Sequence, residues 1–226
     1  SIFEFLNPGL LGKMPRLDVL SSGRESSKAE LMRVVEGIRP FILRRTKSQV
    51  LKDLPPKTEQ VLYCTMGPEQ REIYNKLRAG YQATLLDEIG DKKVSGKAIQ
   101  VLEALLRLRQ VACHPGLVNP EWEVAGRAKL EALFEQVAEV LEEGHKAIVF
   151  SQFTSLLAYV KNHFDEAGVN YAYLDGQTRN RGDVVERFQT QDDCNLFLIS
   201  LKAGGLGLNL TAAGYVFLLA PWWNPA

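Results

Sequence analysis

Four short apolar runs punctuate the second half of the chain: Ala147–Phe150, Tyr171–Leu174, Leu196–Ile199 and Tyr215–Leu219. Runs of this length, bounded by polar turns, predict buried strands. Between them, apolar positions at helical spacing predict helices over Leu156–Ala167 and Asp183–Phe188. Ahead of the first strand, Leu130, Leu133, Phe134, Val137 and Leu141 predict a further helix that ends at Gly144. Strands alternating with amphipathic helices make βαβ units. Residues 127–226 therefore predict an α/β lobe with a mostly parallel sheet and helices on both faces.

The first 126 residues carry a different pattern. Residues 1–60 read as an irregular lead-in and linker, broken at Asn7-Pro8-Gly9 and Ser21-Ser22-Gly23. Ser27, with Glu30 three positions on, predicts a capped helix through about Ile38 that Pro40 ends. Leu54-Pro55-Pro56-Lys57 is a stiff link, and the alternation from Thr58 to Thr65 predicts a strand. Gly67-Pro68-Glu69 opens a helix with Ile73, Leu77, Tyr81 and Leu85 on one face. Asp87–Gly96 predicts a polar loop. Ile99–Ala112 predicts a second helix, closed by His114-Pro115-Gly116. The pair predicts a small helical subdomain over 61–126.

Polar residues follow each predicted strand of the lobe. Ser151-Gln152-Phe153-Thr154 follows the first, Asp175-Gly176-Gln177-Thr178-Arg179 the second, Ser200 to Gly207 the third and Pro221-Trp222-Trp223-Asn224 the fourth. On a parallel sheet these ends gather at one edge, which is where α/β domains bind ligands. The third end carries one cation, Lys202, and one amide, Asn209, around Gly204, Gly205 and Gly207. Bare N–H groups beside a lysine suit phosphate, of a nucleotide or of a nucleic-acid backbone. A tight turn packed close to a helix explains the same glycines, and the segment alone leaves both readings open. The paired tryptophans fit packing against another domain or stacking on a base or sugar.

Composition narrows the class. The chain has 226 residues, 46% of them apolar, and 27 basic against 27 acidic side chains, so its global charge does not announce a nucleic-acid binder. The charge is uneven, however. Arg39, Arg44, Arg45, Lys47, Lys52 and Lys57 face a single anion, Asp53, within nineteen positions. Such a stripe neutralises phosphates or simply solvates a linker. No run approaches the roughly 18 apolar residues of a membrane span, and the start lacks the regions of a signal peptide. Cys64, Cys113 and Cys194 are scattered and odd in number, which suits reduced thiols inside a cell. Cys113-His114 lacks the partner spacing of a zinc site.

Several segments, in order, resemble the second RecA-like lobe of Swi/Snf-type helicase-like ATPases, a family of superfamily two that includes chromatin remodellers. Phe41-Ile42-Leu43-Arg44-Arg45-Thr46-Lys47 resembles the linker signature between the lobes, continued by Leu54-Pro55-Pro56-Lys57-Thr58-Glu59. Leu108-Arg109-Gln110-Val111-Ala112-Cys113-His114-Pro115 is similar to the helical segment before lobe two. Ala147-Ile148-Val149-Phe150-Ser151-Gln152-Phe153 resembles the fourth helicase motif, and Leu174-Asp175-Gly176-Gln177-Thr178 the next element. Ser200 to Leu210 resembles the fifth motif, and Trp222-Trp223-Asn224-Pro225 the segment after it.

The resemblance implies a motor in which two RecA-like lobes clamp ATP and Mg2+ and grip double-stranded DNA, moving along it without separating its strands. This chain would be the C-terminal lobe with its linker. Its partners would be duplex DNA, the first lobe and a DNA-bound protein, with no membrane. Such a motor would work inside the cell, in a bacterial cytoplasm or nucleoid or a eukaryotic nucleus. By match to motif positions, Ser151, Gln152, Thr154, Gly176, Thr178, Ser200, Lys202 and the amides of Gly204 and Gly205 would line the phosphate track. Gly207 and Asn209 would lie near the ribose of ATP, and Trp223 would touch DNA in the groove. Arg44 and Arg45 would brace the lobes or contact DNA.

The chain has no GxxxxGK[ST] loop and no acidic box for magnesium. The resemblance places those in a first lobe, whose tail residues 1–12 resemble, and places the arginine fingers after Ala226. The expectation is therefore a chain with no catalytic residue or metal ligand of its own that does not hydrolyse ATP alone. Gly214 and Ala220 stand where the family often has an acidic residue. A non-catalytic RecA-like module that only binds nucleic acid or protein is the competing reading. A Rossmann-like cofactor enzyme fits poorly, since no GxGxxG opens a helix after the first strand.

Overall fold

A computed structural model describes residues 5–8, 32, 35–50, 56–89, 97–205 and 207–220. The chain divides into two units, Ser1–Val61 and Leu62–Ala226. Among the described residues of the first unit, 35–38 are helical, a 3-10 turn spans Arg39–Phe41 with Pro40 inside it, and a short helix α1 spans Lys47–Val50. Ser27 and Glu30 lie outside the described residues. So does Trp223.

In the second unit, α2 (Pro68–Ile89) and α3 (Lys97–Cys113) pack on each other. Ile73, Leu77 and Tyr81 are half-buried along the predicted face of α2. Gln70 joins the two helices: its Nε2 donates to the carbonyl of Val111 at 2.8 Å, and Gln70 is only 3% exposed. Helix α2 runs to Ile89, so residues 87–89 are helical where a loop is predicted. The predicted strand over Thr58–Thr65 does not form. Val61, Leu62 and Tyr63 are exposed, and among the described residues no strand pairs with them; alternation makes a strand only where a neighbour completes the ladder.

Two 3-10 turns, Pro115–Leu117 and Pro120–Ala125, lead into the lobe. Its elements are α4 (Ala128–Glu142), β1 (Ala147–Ser151), α5 (Thr154–Glu166), β2 (Tyr171–Leu174), α6 (Arg181–Thr190), β3 (Leu196–Ser200), the one-turn α7 (Leu201–Gly204) and β4 (Tyr215–Leu218). The four strands form one parallel sheet in the order β2-β3-β1-β4. Side chains alternate across a strand, and here the two sets fill two cores. Ala147, Val149, Leu196 and Leu198 pack with Leu133 and Val137 of α4 and Leu156 and Val160 of α5. Ile148, Phe197, Ile199 and Leu174 pack with Phe188 of α6 and Ala203 of α7. Both faces are therefore covered, which is why β1 and β3 read as nearly continuous apolar runs.

His114 joins the helical part to the lobe and is 2% exposed. Its Nδ1 accepts the N–H of Gly116 at 3.2 Å, and its ring lies 4.3 Å from that of Tyr159. Burial holds its pKa below the ordinary 6.5, against a smaller upward pull from Glu123. The folded state thus binds this proton less readily than the unfolded chain, so the contribution is present above pH 6.5 and is lost as pH falls through the depressed value. Urea midpoints are expected to drop between pH 7 and pH 5, and His114→Gln to flatten that slope. An unchanged slope in the variant would remove His114 from the account.

Candidate nucleic-acid interface at the strand ends

The parallel register brings the carboxyl ends of β1 and β3 side by side, with Ser151 opposite Ser200. Both serines are buried, Ser151 fully and Ser200 at 3% exposure. Neither hydroxyl is directed at a ligand. Ser151 Oγ accepts the N–H of Phe153 at 3.1 Å and donates to its carbonyl at 3.1 Å, turning the chain from β1 into α5. Ser200 Oγ accepts the N–H of Ala203 at 3.4 Å and caps α7. These two residues of the predicted phosphate track shape the edge from within.

The end of β2 is built by one carboxylate. Asp175 Oδ1 accepts the N–H groups of Gln177 (2.9 Å) and Thr178 (3.1 Å) and the hydroxyl of Thr178 (3.0 Å). Thr178 Oγ1 in turn accepts the N–H of Asp175 at 3.0 Å. Burial pushes the Asp175 carboxyl up, but these bonds and the Tyr173 hydroxyl together hold it below the ordinary carboxylate value. Tyr173 donates to Asp175 Oδ2 at 3.2 Å, and burial with the neighbouring Asp175 charge pushes the phenol up to about 12. The turn is thus locked and leaves Gly176 exposed at its tip. The organising role of Asp175 was missed in the sequence; the signal that could have found it is an Asp three residues before a Thr, a turn-forming spacing.

Exposed at this edge are Thr154, Gly176, Lys202 and Gly205. Gln152 is half-buried, and its Oε1 is buried without a hydrogen-bond partner. Gly204 is not in a bare loop but closes α7. A β-carbon there would lie 2.6 Å from Cε1 of Phe150, so this glycine allows close packing inside the lobe. The N–H of Gly205 is spent on the carbonyl of Leu201 at 3.2 Å. Gly207 differs: its φ of +70° requires the left-handed region that glycine adopts freely. Beyond it, Asn209 is exposed. In the first unit, Arg44 and Arg45 are exposed on a stretch without regular secondary structure before α1.

The two positions that depart from the family pattern are accommodated. The N–H groups of Gly214 and Tyr215 donate to the Lys146 carbonyl at 3.1 and 3.3 Å, so the entry to β4 is tied to β1. Ala220 is 3% exposed and packs in the core on the α4 and α5 face. Lys129 of α4 donates to the carbonyl of Leu219 at 3.3 Å just before it.

Among the described residues, no group of three His, Cys, Asp or Glu side chains could hold a metal ion, and no helix is long and apolar enough to cross a membrane. Asn209 places an exposed carboxamide two residues after the turn at Gly207.

Comparison with known proteins joins this geometry to a family. The SNF2-related domain matches residues 1–117, and the helicase conserved C-terminal domain matches 128–226. A putative ATP-dependent helicase/translocase, YwqA, of Bacillus subtilis is 34% identical over the whole chain, which covers 25% of that protein. The human SWI/SNF-related matrix-associated actin-dependent regulator of chromatin subfamily A member 1 is 34% identical over 83% of the chain and 19% of its own length. The chain spans about a fifth of the length of the curated relatives it matches. Among solved structures, the Sulfolobus solfataricus SWI2/SNF2 ATPase core in complex with dsDNA superposes with a TM-score of 0.65 at 31% identity, covering 99% of this chain and 48% of that one. The chain belongs to the SNF2 family of helicase-like ATPases and carries, in its second half, the RecA-like C-terminal lobe of that family.

Proposed function

We propose that this chain is the second motor lobe of an ATP-dependent translocase that moves along double-stranded DNA without separating the strands, and that it does not turn over ATP alone. Residues 1–60 then act as the tail of a first lobe and the linker between lobes, 61–126 as a helical subdomain and 127–226 as the C-terminal lobe. The observation that carries the reading is the single edge at which the parallel strands end. Among the described residues it presents Lys202, Thr154 and the tip of Gly176. A motor must hold phosphates and ignore sequence, so a cation and a hydroxyl beside closely approachable backbone suffice. Ser151, Ser200 and Thr178 serve by fixing the backbone under those contacts, with Gln152 and the short helix ending at Gly204 and Gly205 completing the track.

Bound ATP would supply the hydrolysis that drives closure of two lobes. Gly207 and Asn209 would hold its sugar end. The described residues offer no cage for the accompanying Mg2+. Trp223, Arg44 and Arg45 are assigned to DNA or to bracing the lobes by family resemblance. Duplex DNA and a second RecA-like lobe are the proposed partners, with a DNA-bound protein as the object moved.

Lys202 is the direct test. In the intact protein, Lys202→Ala is expected to weaken duplex binding by about 1 kcal/mol for every sequence tried, and to lower the slope of log K against log salt by about one unit. Equal affinity across the salt titration would take Lys202 off the phosphate track. A loss confined to certain sequences would contradict a contact that only positions.

A further inference from the structure

One side chain outside the quoted family segments holds the stretch that follows the glycine-rich turn. Gln189 is half-buried in the last turn of α6. Its Nε2 donates to the carbonyl of Asn209 at 2.8 Å and, less closely, to Thr211 Oγ1 at 3.4 Å. Its Oε1 accepts the N–H of Ala212 at 2.8 Å. A carboxamide offers a donor and an acceptor in a fixed fork, and here it bridges the carbonyl of Asn209 and the N–H of Ala212 beside the Thr211–Ala212 turn. The two short bonds grip the segment at residues three positions apart, and a slip along its length breaks both.

The bracket itself is fixed. Phe188, one residue before Gln189, is fully buried with its ring 5.0 Å from that of Phe197. The Phe188 carbonyl accepts Lys146 Nζ at 2.7 Å. Beneath the gripped segment, Leu208, Leu210 and Ala212 pack on the same core as Val184 and Val185 of α6. Asn209 and Thr211 alternate with them and are exposed. The side-chain amide of Asn209 makes no hydrogen bond among the described residues.

We propose that Gln189 is a positioning residue for the nucleotide: it holds the Gly207–Ala212 segment at a fixed height on α6, so that Asn209 presents its amide to the sugar of ATP. The inference rests on the reading that Gly207 and Asn209 face the ribose. It predicts that α6 and the nucleotide are coupled through one side chain that does not touch the ligand.

The test uses the full-length protein with Gln189→Leu, Gln189→Glu and Asn209→Ala. Two readouts are compared: backbone amide exchange at Ala212, and KM for ATP against kcat in the presence of duplex DNA. Gln189→Leu should speed exchange at Ala212 by about fivefold or more, as expected for loss of a net stabilising hydrogen bond. It should raise KM by about three- to tenfold while kcat stays within about twofold, the signature of lost uniform binding. Gln189→Glu keeps an acceptor for the Ala212 N–H but sets a carboxylate against the Asn209 carbonyl, so exchange stays slow while KM still rises. Unchanged exchange in Gln189→Leu overturns the proposal, and so does faster exchange with unchanged KM. If Asn209→Ala raises KM and Gln189→Leu does not, the inference fails and the ribose reading stands. If neither raises KM, the ribose reading fails and takes the inference with it.

Discussion

Replacing Lys146 with methionine is expected to destabilise the lobe by about 2–3 kcal/mol, the loss of a charged donor shared by partly buried carbonyls. The ammonium of Lys146 donates to three carbonyls at once: Phe188 at 2.7 Å, Gln191 at 2.6 Å and Cys194 at 3.2 Å. The last carbonyls of a helix have no partner within it, and α6 ends at Thr190. Lys146 reaches from the start of β1 to satisfy one of them and two acceptors in the turn that leads to β3. A cation at a helix carboxyl terminus also gains from the macrodipole. Its own carbonyl accepts the N–H groups of Gly214 and Tyr215, so one residue ties β1, β4, α6 and the approach to β3. Methionine keeps the length and the apolar stem but orphans the three acceptors. Two of these contacts are partly buried and one is exposed, so water restores only part of the loss. Urea unfolding measures it directly. A midpoint equal to that of the parent would show that the three bonds contribute nothing net, and the account of this corner of the lobe would be wrong.

Gly204→Val is expected to destabilise the lobe by about 1–3 kcal/mol, the range for overpacking, and to weaken duplex binding with it. A β-carbon at 204 would meet Phe150 Cε1 at 2.6 Å and Ile199 Cγ2 at 3.5 Å. Phe150 cannot simply swing away. It packs against the core on the α6 face, and its carbonyl accepts the N–H of Leu219 at 3.0 Å, which fixes the end of β4. The relief must come from α7, which carries Lys202. Gly204→Ala meets the same contact but gains helix propensity of up to about 1 kcal/mol, so alanine is expected to fall between glycine and valine. Thermal melts and duplex titrations on the three proteins give the order. Valine as stable as glycine would mean that the close approach to Phe150 is not a constraint.

The lobe was legible because its pattern is repetitive. Every predicted strand of the lobe forms within one residue of its bounds, since apolar runs between amphipathic helices have few other solutions. Thr58–Thr65 failed where the sequence shows alternation but nothing tells whether a partner strand lies alongside. The candidate site was legible only in part. Residue type and position gave the edge, Lys202 and the glycine turn. Local partners were hidden: Ser151 and Ser200 look like ligand hydroxyls in a sequence and prove to be buried and spent on nearby backbone, and Thr178 is spent on the side chain and N–H of Asp175. Gly204 and Gly207 look alike, yet one is required by Phe150 and the other by its own φ. Lys146 and Gln189 carry no local signal at all, because their partners lie 20 to 48 positions away.

In the function proposed here, this lobe serves a motor driven by ATP on duplex DNA. The measurement that tests it most directly is ATP hydrolysis by the full-length protein with no nucleic acid, with single-stranded DNA and with double-stranded DNA, beside the isolated 226-residue chain. Strong stimulation by the duplex, little by the single strand, and no turnover by the isolated chain above a buffer control is the expected result. Full-length protein that binds ATP and gains nothing from duplex would contradict it and favour a RecA-like lobe that acts only as a binding module.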